Sequence, residues 1–242
     1  MKQKLFITFI LCVWIPVAYA AGIPHLLPWP QQVDWNKQTF SGKEIALLAE
    51  GNTEQMVTAW LQENNIGINP TSKHKLQIKL VKELPEAKLN ANEAYKLQVS
   101  SQGITIEATT EQGVYWAIQT LRQLTEKKGD RAYITGCRIT DWPAFRIRGF
   151  MQDVGRSYIS LEELKREIAI LSRYKINVFH WHLTENQSWR LESKVFPMIN
   201  DSINTTRMPG KYYTLEEAKE LVAFCKQHHV MLIPELDMPG HS

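Results

Sequence analysis

Hydrophobic and polar positions follow two different rhythms along this chain, and the change falls near residue 140. In the first part, "KLQIKLVKEL" sets Leu76, Ile78 and Leu80 against polar neighbours, the period-two pattern of a half-buried strand. "EAYKLQVSSQGITIEATT" contains two such runs joined at Ser-Gln-Gly, which predicts a hairpin. Helical spacing appears in "NTEQMVTAWLQENN" through Met56, Trp60 and Leu61. It returns in "TTEQGVYWAIQTLRQL", where Val114, Ala117, Ile118, Leu121 and Leu124 share a face and Thr109 and Gln112 suit a capping box. The proline-rich "LLPWPQQVDW" reads as an extended entry segment. Residues 22–140 thus predict a small α+β domain, and "TDWPAFRIRGF" a connector into something different.

The second part repeats itself. "SLEELKREIAILSRYKINVFHWHL" starts at Ser160 and "TLEEAKELVAFCKQHHVMLIPELD" at Thr214. Each opens Ser/Thr-Leu-Glu-Glu, where the hydroxyl caps the first turn and the second glutamate reaches back to it. Each continues as an amphipathic helix, along Leu161, Leu164, Ile168 and Leu171 or along Leu215, Ala218, Val222 and Cys225. Each then passes a basic polar patch into an apolar strand, Val178–Leu183 or Val230–Leu236, and a further strand, "IRGFMQDV", precedes the first helix. The order β-α-β-α-β predicts parallel strands with crossover helices. Polar residues gather after each strand, where (β/α)8 barrels and doubly wound sheets both carry their sites. A full barrel needs about 250 residues. The stretch 146–242 is far shorter, so the expectation is about three βα units of an incomplete barrel.

Composition narrows the class. With 44% hydrophobic and 22% charged residues the chain has the make-up of a globular protein, and its formal charge is only +3. The opening "MKQKLFITFILCVWIPVAYAAG" has a basic start, a short apolar run and Ala18-Tyr19-Ala20, the form of a secretory signal peptide over residues 1–20, cut after Ala20. Its removal takes away Lys2 and Lys4 and leaves a nearly neutral chain, which gives no electrostatic support for binding nucleic acid. The expectation is a secreted or periplasmic protein with no membrane span after cleavage. Leu11 before Cys12 argues against a lipoprotein anchor. Cys137 and Cys225 remain, with no C-x-x-C; Cys225, on an apolar stripe, suits a buried thiol, and whether the two pair is left open.

Candidate chemistry clusters at the strand ends. His180 and His182, two apart on a strand, share a face and suit a metal-dependent barrel hydrolase, although no third ligand follows at a telling spacing. His228 and His229 at a helix end suit a solvated cap that favours the helix dipole. Asp153, Glu185 and Asp237 each lie just past a strand and Glu235 within one, and Arg156 offers a planar set of donors for sugar hydroxyls. Glycosidases place two carboxyls about a scissile bond, so a polyol-binding cleft is a further reading.

"RGFMQDVGRSYIS", "KINVFHWHLTENQSWRLESKVFPMI" and "YYTLEEAKELVAFCKQHHVMLIPELDMPGHS" together resemble the first three βα units of glycoside hydrolase family 20, the β-N-acetylhexosaminidases. The region from "LPWPQQV" to "GVYWAIQTLRQL" resembles that family's small N-terminal domain. The resemblance implies exo-hydrolysis of terminal β-linked GlcNAc or GalNAc with retention, in which the substrate's own acetamido group is the nucleophile. No cofactor or metal is implied. An adjacent Asp-Glu pair after the fourth strand does the chemistry, and its expected place is beyond residue 242. By motif, Arg156 matches the arginine that grips sugar hydroxyls, and His241 a histidine that tunes the catalytic glutamate. Glu185 matches the acid that supports that histidine, and Asp153, His182 and Asp237 match supporting positions. The chain departs from the family's common "HLTDDQ" at Glu185 and Asn186. A non-catalytic carbohydrate-binding protein stays open if the Asp-Glu pair is missing.

Overall fold

The structure is a computed structural model and describes residues 24–49 and 51–241; the expected signal peptide and Cys12 lie outside them. In chain order the elements of the N-terminal domain are β1 (Gln32–Phe40), β2 (Glu44–Leu48), α1 (Gly51–Glu63), β3 (Gly67–Ile68), β4 (Lys75–Leu80), β5 (Tyr95–Ser100), β6 (Gly103–Ala108), α2 (Glu111–Leu124), β7 (Thr125–Lys128) and β8 (Arg131–Asp141). Eight strands form one mixed sheet, ordered β1-β8-β5-β6-β4-β2-β3 with β7 against β8. The predicted β5–β6 hairpin pairs Ser100 with Gly103. Glycine is required at 103, because a Cβ there would stand 2.1 Å from the Lys75 carbonyl oxygen of the neighbouring strand. The buried stripes of α1 (Val57, Trp60, Leu61) and α2 (Val114, Ala117, Ile118, Leu121) close the core over Leu76, Leu97, Val99, Ile104 and Ile106. Burying large apolar side chains of this kind is the main stabilising term of such a domain.

The extended entry segment runs into β1, which begins within it at Gln32 and pairs with β8. Two expectations for this domain are corrected. Leu80 does not point into the core but is exposed at the end of its strand. The cap of α2 is Thr110, which accepts from the Gly113 amide, while the Thr109 hydroxyl donates to the Ala91 carbonyl, so no Thr109–Gln112 box forms.

After the connector 142–148 come β9 (Gly149–Asp153), α3 (Leu161–Arg173), β10 (Val178–His182), the short pair β11 (Thr184–Glu185) and β12 (Ser188–Trp189), α4 (Leu215–Gln227) and β13 (Met231–Glu235). Both predicted capping boxes are present: Ser160 and Glu163 exchange hydrogen bonds at the start of α3, and Thr214 and Glu217 at the start of α4. Strands β9, β10 and β13 form a parallel sheet in sequential order, with rungs such as Phe150–Phe179–Leu232, Met151–His180–Ile233 and Asp153–His182–Glu235. Alternation sends Phe179 and Trp181 into a core with Leu164 and Ile168 of α3 and Leu221 and Cys225 of α4. The other face carries Met151 (54% exposed), Ile233 (42%) and Met231 (63%). The buried stripe of α4 runs through Leu221, and Val222 lies outside, one position from where spacing put it. Cys137 and Cys225 are free thiols buried in separate cores, and burial pushes each up to about 12. No helix among the described residues is long and apolar enough to cross a membrane.

Polar side chains buried between the two regions join them. Lys175 follows α3 in the left-handed conformation and is buried, not part of a solvated patch. Its Nζ donates to Asp141 Oδ2 (2.8 Å) and to the Tyr95 hydroxyl (2.9 Å). Burial lowers the Lys175 pKa against the pull of Asp141 and raises that of Tyr95. Beside it Glu93 accepts from Trp116 Nε1 (2.7 Å) and from Arg148, whose Nε donates to the Lys175 carbonyl (2.6 Å). His228 and His229 are half-buried here, not solvated: His228 stacks on Phe224 at 4.2 Å, and His229 lies 4.8 Å from the Tyr115 ring of α2. Burial lowers both pKa values, which favours the neutral rings.

Candidate active site

The parallel register sets the site. Asp153, His182 and Glu235 form the last rung at the carboxyl end of the sheet, on the face away from the helices. Beyond β9 the chain turns so that Val154 and Gly155 both donate to the His182 carbonyl (3.0 and 3.3 Å), which brings Arg156 over β10. Gly155 is packed closely there: a Cβ would lie 3.1 Å from both Glu185 Cβ and the Thr184 carbonyl carbon.

Arg156 is held by two acids. Its backbone N–H donates to Asp153 Oδ1 (3.0 Å), its Nη1 to Asp153 Oδ2 (2.5 Å), and its Nη2 to Glu185 Oε1. Its side chain is still 48% exposed, so donors remain for a ligand. Glu185 is 3% exposed and also accepts from the Asn186 amide at Oε2 (3.2 Å) and lies 2.8 Å from His241 Nδ1 through Oε1. Burial raises the Glu185 pKa. The His241 ring, the Asn186 amide and the Arg156 charge outweigh it and hold the group below its ordinary value. Asp153 is lowered in the same way, burial opposing the Arg156 hydrogen bonds and charge, while hydrogen bonding to Asp153 raises Arg156. Glu185 thus reaches the His241 ring although it has one more methylene than the aspartate of the common motif.

His182 is 8% exposed and lies between carboxylates, Nδ1 3.8 Å from Asp153 and Nε2 3.4 Å from Asp237. The Asp237 amide donates to the Thr184 hydroxyl (2.9 Å), fixing the start of the last loop. His180 does not join this group. Its Nε2 is 2.5 Å from Glu235 Oε2, so the two histidines face separate acids. The cluster with metal-ligand spacing among the described residues is His182, Glu235 and Asp237, within 4.8 Å of one another, and it omits His180. These donors could hold a divalent cation, but Glu235 would have to leave His180.

The structure therefore brings Arg156, Asp153, Glu185, His241, His182 and Asp237 together from the ends of β9 and β10 and the segments that follow the three strands. Sequence reasoning missed Arg190. That residue is fully buried beneath the loop of Arg156, and its donors run to main-chain carbonyls. No spacing rule points to such partners, because every residue has a carbonyl.

Comparison with known proteins places the chain. Residues 23–142 match the family model "Glycosyl hydrolase family 20, domain 2", and residues 145–242 match "Glycosyl hydrolase family 20, catalytic domain". A beta-hexosaminidase of Vibrio furnissii is 31% identical over 94% of this chain and 39% of its own length. One of Porphyromonas gingivalis is 36% identical over 62% of this chain and 21% of its own length. Among solved structures, the GH20 exo beta-N-acetylglucosaminidase of Vibrio harveyi in complex with N-acetylglucosamine superposes with a TM-score of 0.74 at 30% identity, covering 91% of this chain and 38% of that one. The chain spans between about a fifth and two fifths of the length of these relatives. It belongs to glycosyl hydrolase family 20, with that family's domain 2 and part of its catalytic domain.

Proposed function

We propose that this chain supplies the sugar-gripping part of an exo-acting β-N-acetylhexosaminidase that releases terminal, non-reducing N-acetylhexosamine with retention. The observation that carries the reading is the linked cluster Asp153–Arg156–Glu185–His241 at the carboxyl ends of adjacent parallel strands. Strands β9, β10 and β13 are, in this reading, the first three of a (β/α)8 barrel, whose site forms at that end. Sequential strand order with both helices on one face fits a barrel and equally one βαβαβ half of a doubly wound sheet; the family match supports the barrel.

Arg156, the charge of its guanidinium held in place by two carboxylates, donates its free N–H groups to sugar hydroxyls. Glu185 holds the His241 ring by one nitrogen and leaves the other for the proton-donating carboxyl. Asp153, His182 and Asp237 keep the floor polar and fixed. Substrate-assisted hydrolysis in addition needs an adjacent Asp-Glu pair after the fourth strand of the barrel, with the substrate acetamido oxygen as nucleophile and the glutamate as acid. The relatives named beta-hexosaminidase and the N-acetylglucosamine held by the Vibrio harveyi enzyme support this substrate class. Export to the periplasm or beyond, with cleavage after Ala20, is supported by the opening basic and apolar pattern.

The test is hydrolysis of 4-nitrophenyl N-acetyl-β-glucosaminide and -galactosaminide, with the anomer of the product followed by NMR. The whole protein is expected to release the β-anomer first, and residues 1–242 alone to bind sugar weakly without turnover. Failure of the whole protein on both substrates, or turnover by residues 1–242 alone, would sink the reading. One zinc per chain bound after purification, with loss of activity on chelation, would favour the His182–Glu235–Asp237 cluster as a metal centre instead.

A further inference from the structure

We propose that Arg190 is the positioning residue of the substrate-binding loop: it sets where Arg156 stands by clamping Val154 and Gly155 against the segment 207–211. The role of Arg156 rests on the reading above; the clamp itself does not.

A guanidinium has five N–H donors in a fixed plane. In Arg190 all five are used, and all on main-chain carbonyls. Nε donates to Val154 (3.1 Å), and Nη2 to Gly155 (3.3 Å) and Arg207 (2.8 Å). Nη1 donates to Met208 (3.1 Å) and Lys211 (2.6 Å). The side chain is fully buried, and no carboxylate pairs with it among the described residues. An unpaired buried charge is costly unless dipoles surround it. Here five carbonyl dipoles do so, drawn from two segments far apart in sequence. The backbone of Arg190 is fixed as well: its N–H donates to Leu183, and its carbonyl accepts from Tyr213.

The geometry links this clamp to the site. The Gly155 carbonyl takes a second bond from the Ser188 hydroxyl (2.5 Å), so the peptide before Arg156 is held from below by two side chains. On the side where a Cβ would point, Thr184 and Glu185 pack within about 3.1 Å of that position, so the site is fitted to glycine. Arg156 then extends from a fixed origin to Asp153 and Glu185. Lysine cannot take over this work: with three donors and no plane it leaves at least two of the five bonds unmade.

The experiment is a double-mutant cycle in the whole protein with Arg190→Lys, Arg156→Lys and the pair, read as KM and kcat on a 4-nitrophenyl N-acetylhexosaminide. Arg190→Lys is expected to raise KM about tenfold with a smaller change in kcat, and to add little once Arg156 is already lysine, because coupled neighbours are non-additive. Backbone hydrogen exchange supplies a readout that needs no activity. In Arg190→Lys, peptides covering 153–158 and 206–212 should exchange faster, while 95–100 in the N-terminal sheet keeps its protection. Ser188→Ala removes the other bond to Gly155 and gives the milder variant if Arg190→Lys fails to fold. It is expected to quicken exchange over 153–158 alone. Equal losses from Arg190→Lys in both Arg156 backgrounds, or faster exchange spread evenly over 149–241, would overturn the proposal. A whole protein inactive on the substrate, with exchange quickened only over the two loops, would refute the hydrolase reading and leave the clamp standing.

Discussion

The two regions use their sheets differently. In the N-terminal domain helices and sheet bury one continuous apolar face, and the charged side chains on the sheet's outer face pair at the surface, as Lys96 does with Glu86 and Lys79 with Glu107. The second sheet is covered by α3 and α4 on one face only. Its other face carries Met151 and Ile233 on either side of His180 at mid-strand and is wholly polar at the last rung, Asp153–His182–Glu235. One region therefore concentrates stability and the other chemistry, and the buried contacts at Lys175, Asp141, Glu93 and Arg148 tie them together. The difference shows two uses of charge on a sheet: paired at the surface of one region, and gathered at the strand ends of the other.

Breaking the tie should have the largest effect. Lys175→Met leaves Asp141 buried without its cation, and loss of one partner of such a pair costs about 3–5 kcal/mol. Guanidinium unfolding should show the second region melting before the first. A single unshifted transition would mean that the regions do not lean on each other. Arg156→Lys should separate chemistry from stability: binding of N-acetylglucosamine by calorimetry weakens about tenfold or more, because a planar two-acid grip becomes a point charge, and the melting temperature stays put. A melting temperature that falls in step with affinity would show that the arginine mainly holds the fold.

Smaller effects test the helices of the second region. Ser160→Ala and Thr214→Ala each remove a capping box and should cost about 1 kcal/mol in chemical denaturation. The same change at Thr110, whose hydroxyl accepts from the Gly113 amide (3.3 Å) and donates to the Asn92 carbonyl (2.5 Å), should cost about as much. The smallest expected effect is with pH. His228 and His229 have folded pKa values below the ordinary 6.5. Below that value the unfolded chain takes up protons that the folded chain resists, so their contribution is complete above it and is lost as pH falls. Melting temperature should decline gently from pH 7 toward 5, and His229→Phe, which keeps a ring against Tyr115, should flatten the decline. A rise on acidification would contradict burial as the cause. Asp153 and Glu185 act in the same direction at lower pH, where their carboxylates take up protons.

The second region was the more legible. Its helices announce themselves by Ser160–Glu163 and Thr214–Glu217, and its buried strands by apolar runs, since local signals and tertiary packing agree there. Strand β1 was hidden because most of its positions are exposed and its pairing with β8 shifts register between Trp35 and Thr39, which breaks alternation. Val222 and Leu221 are equally apolar, and only packing chooses between them. At the site, side chains that meet other side chains, such as Arg156 and Glu185, were legible through motif resemblance. The clamp of Arg190 was not, because its partners are peptide groups placed by the fold. Lys175 looked like surface for a similar reason: its partners lie 34 and 80 residues away.

The single oxygen Oε1 of Glu185 is shared by Arg156 from the loop after β9 and His241 from the loop after β13. Three loops therefore take their bearings from one atom, and none can drift without the other two registering it. For evolution, or for anyone grafting these loops onto another scaffold, the three form one heritable unit: exchanging any loop alone carries over its residues and loses their alignment.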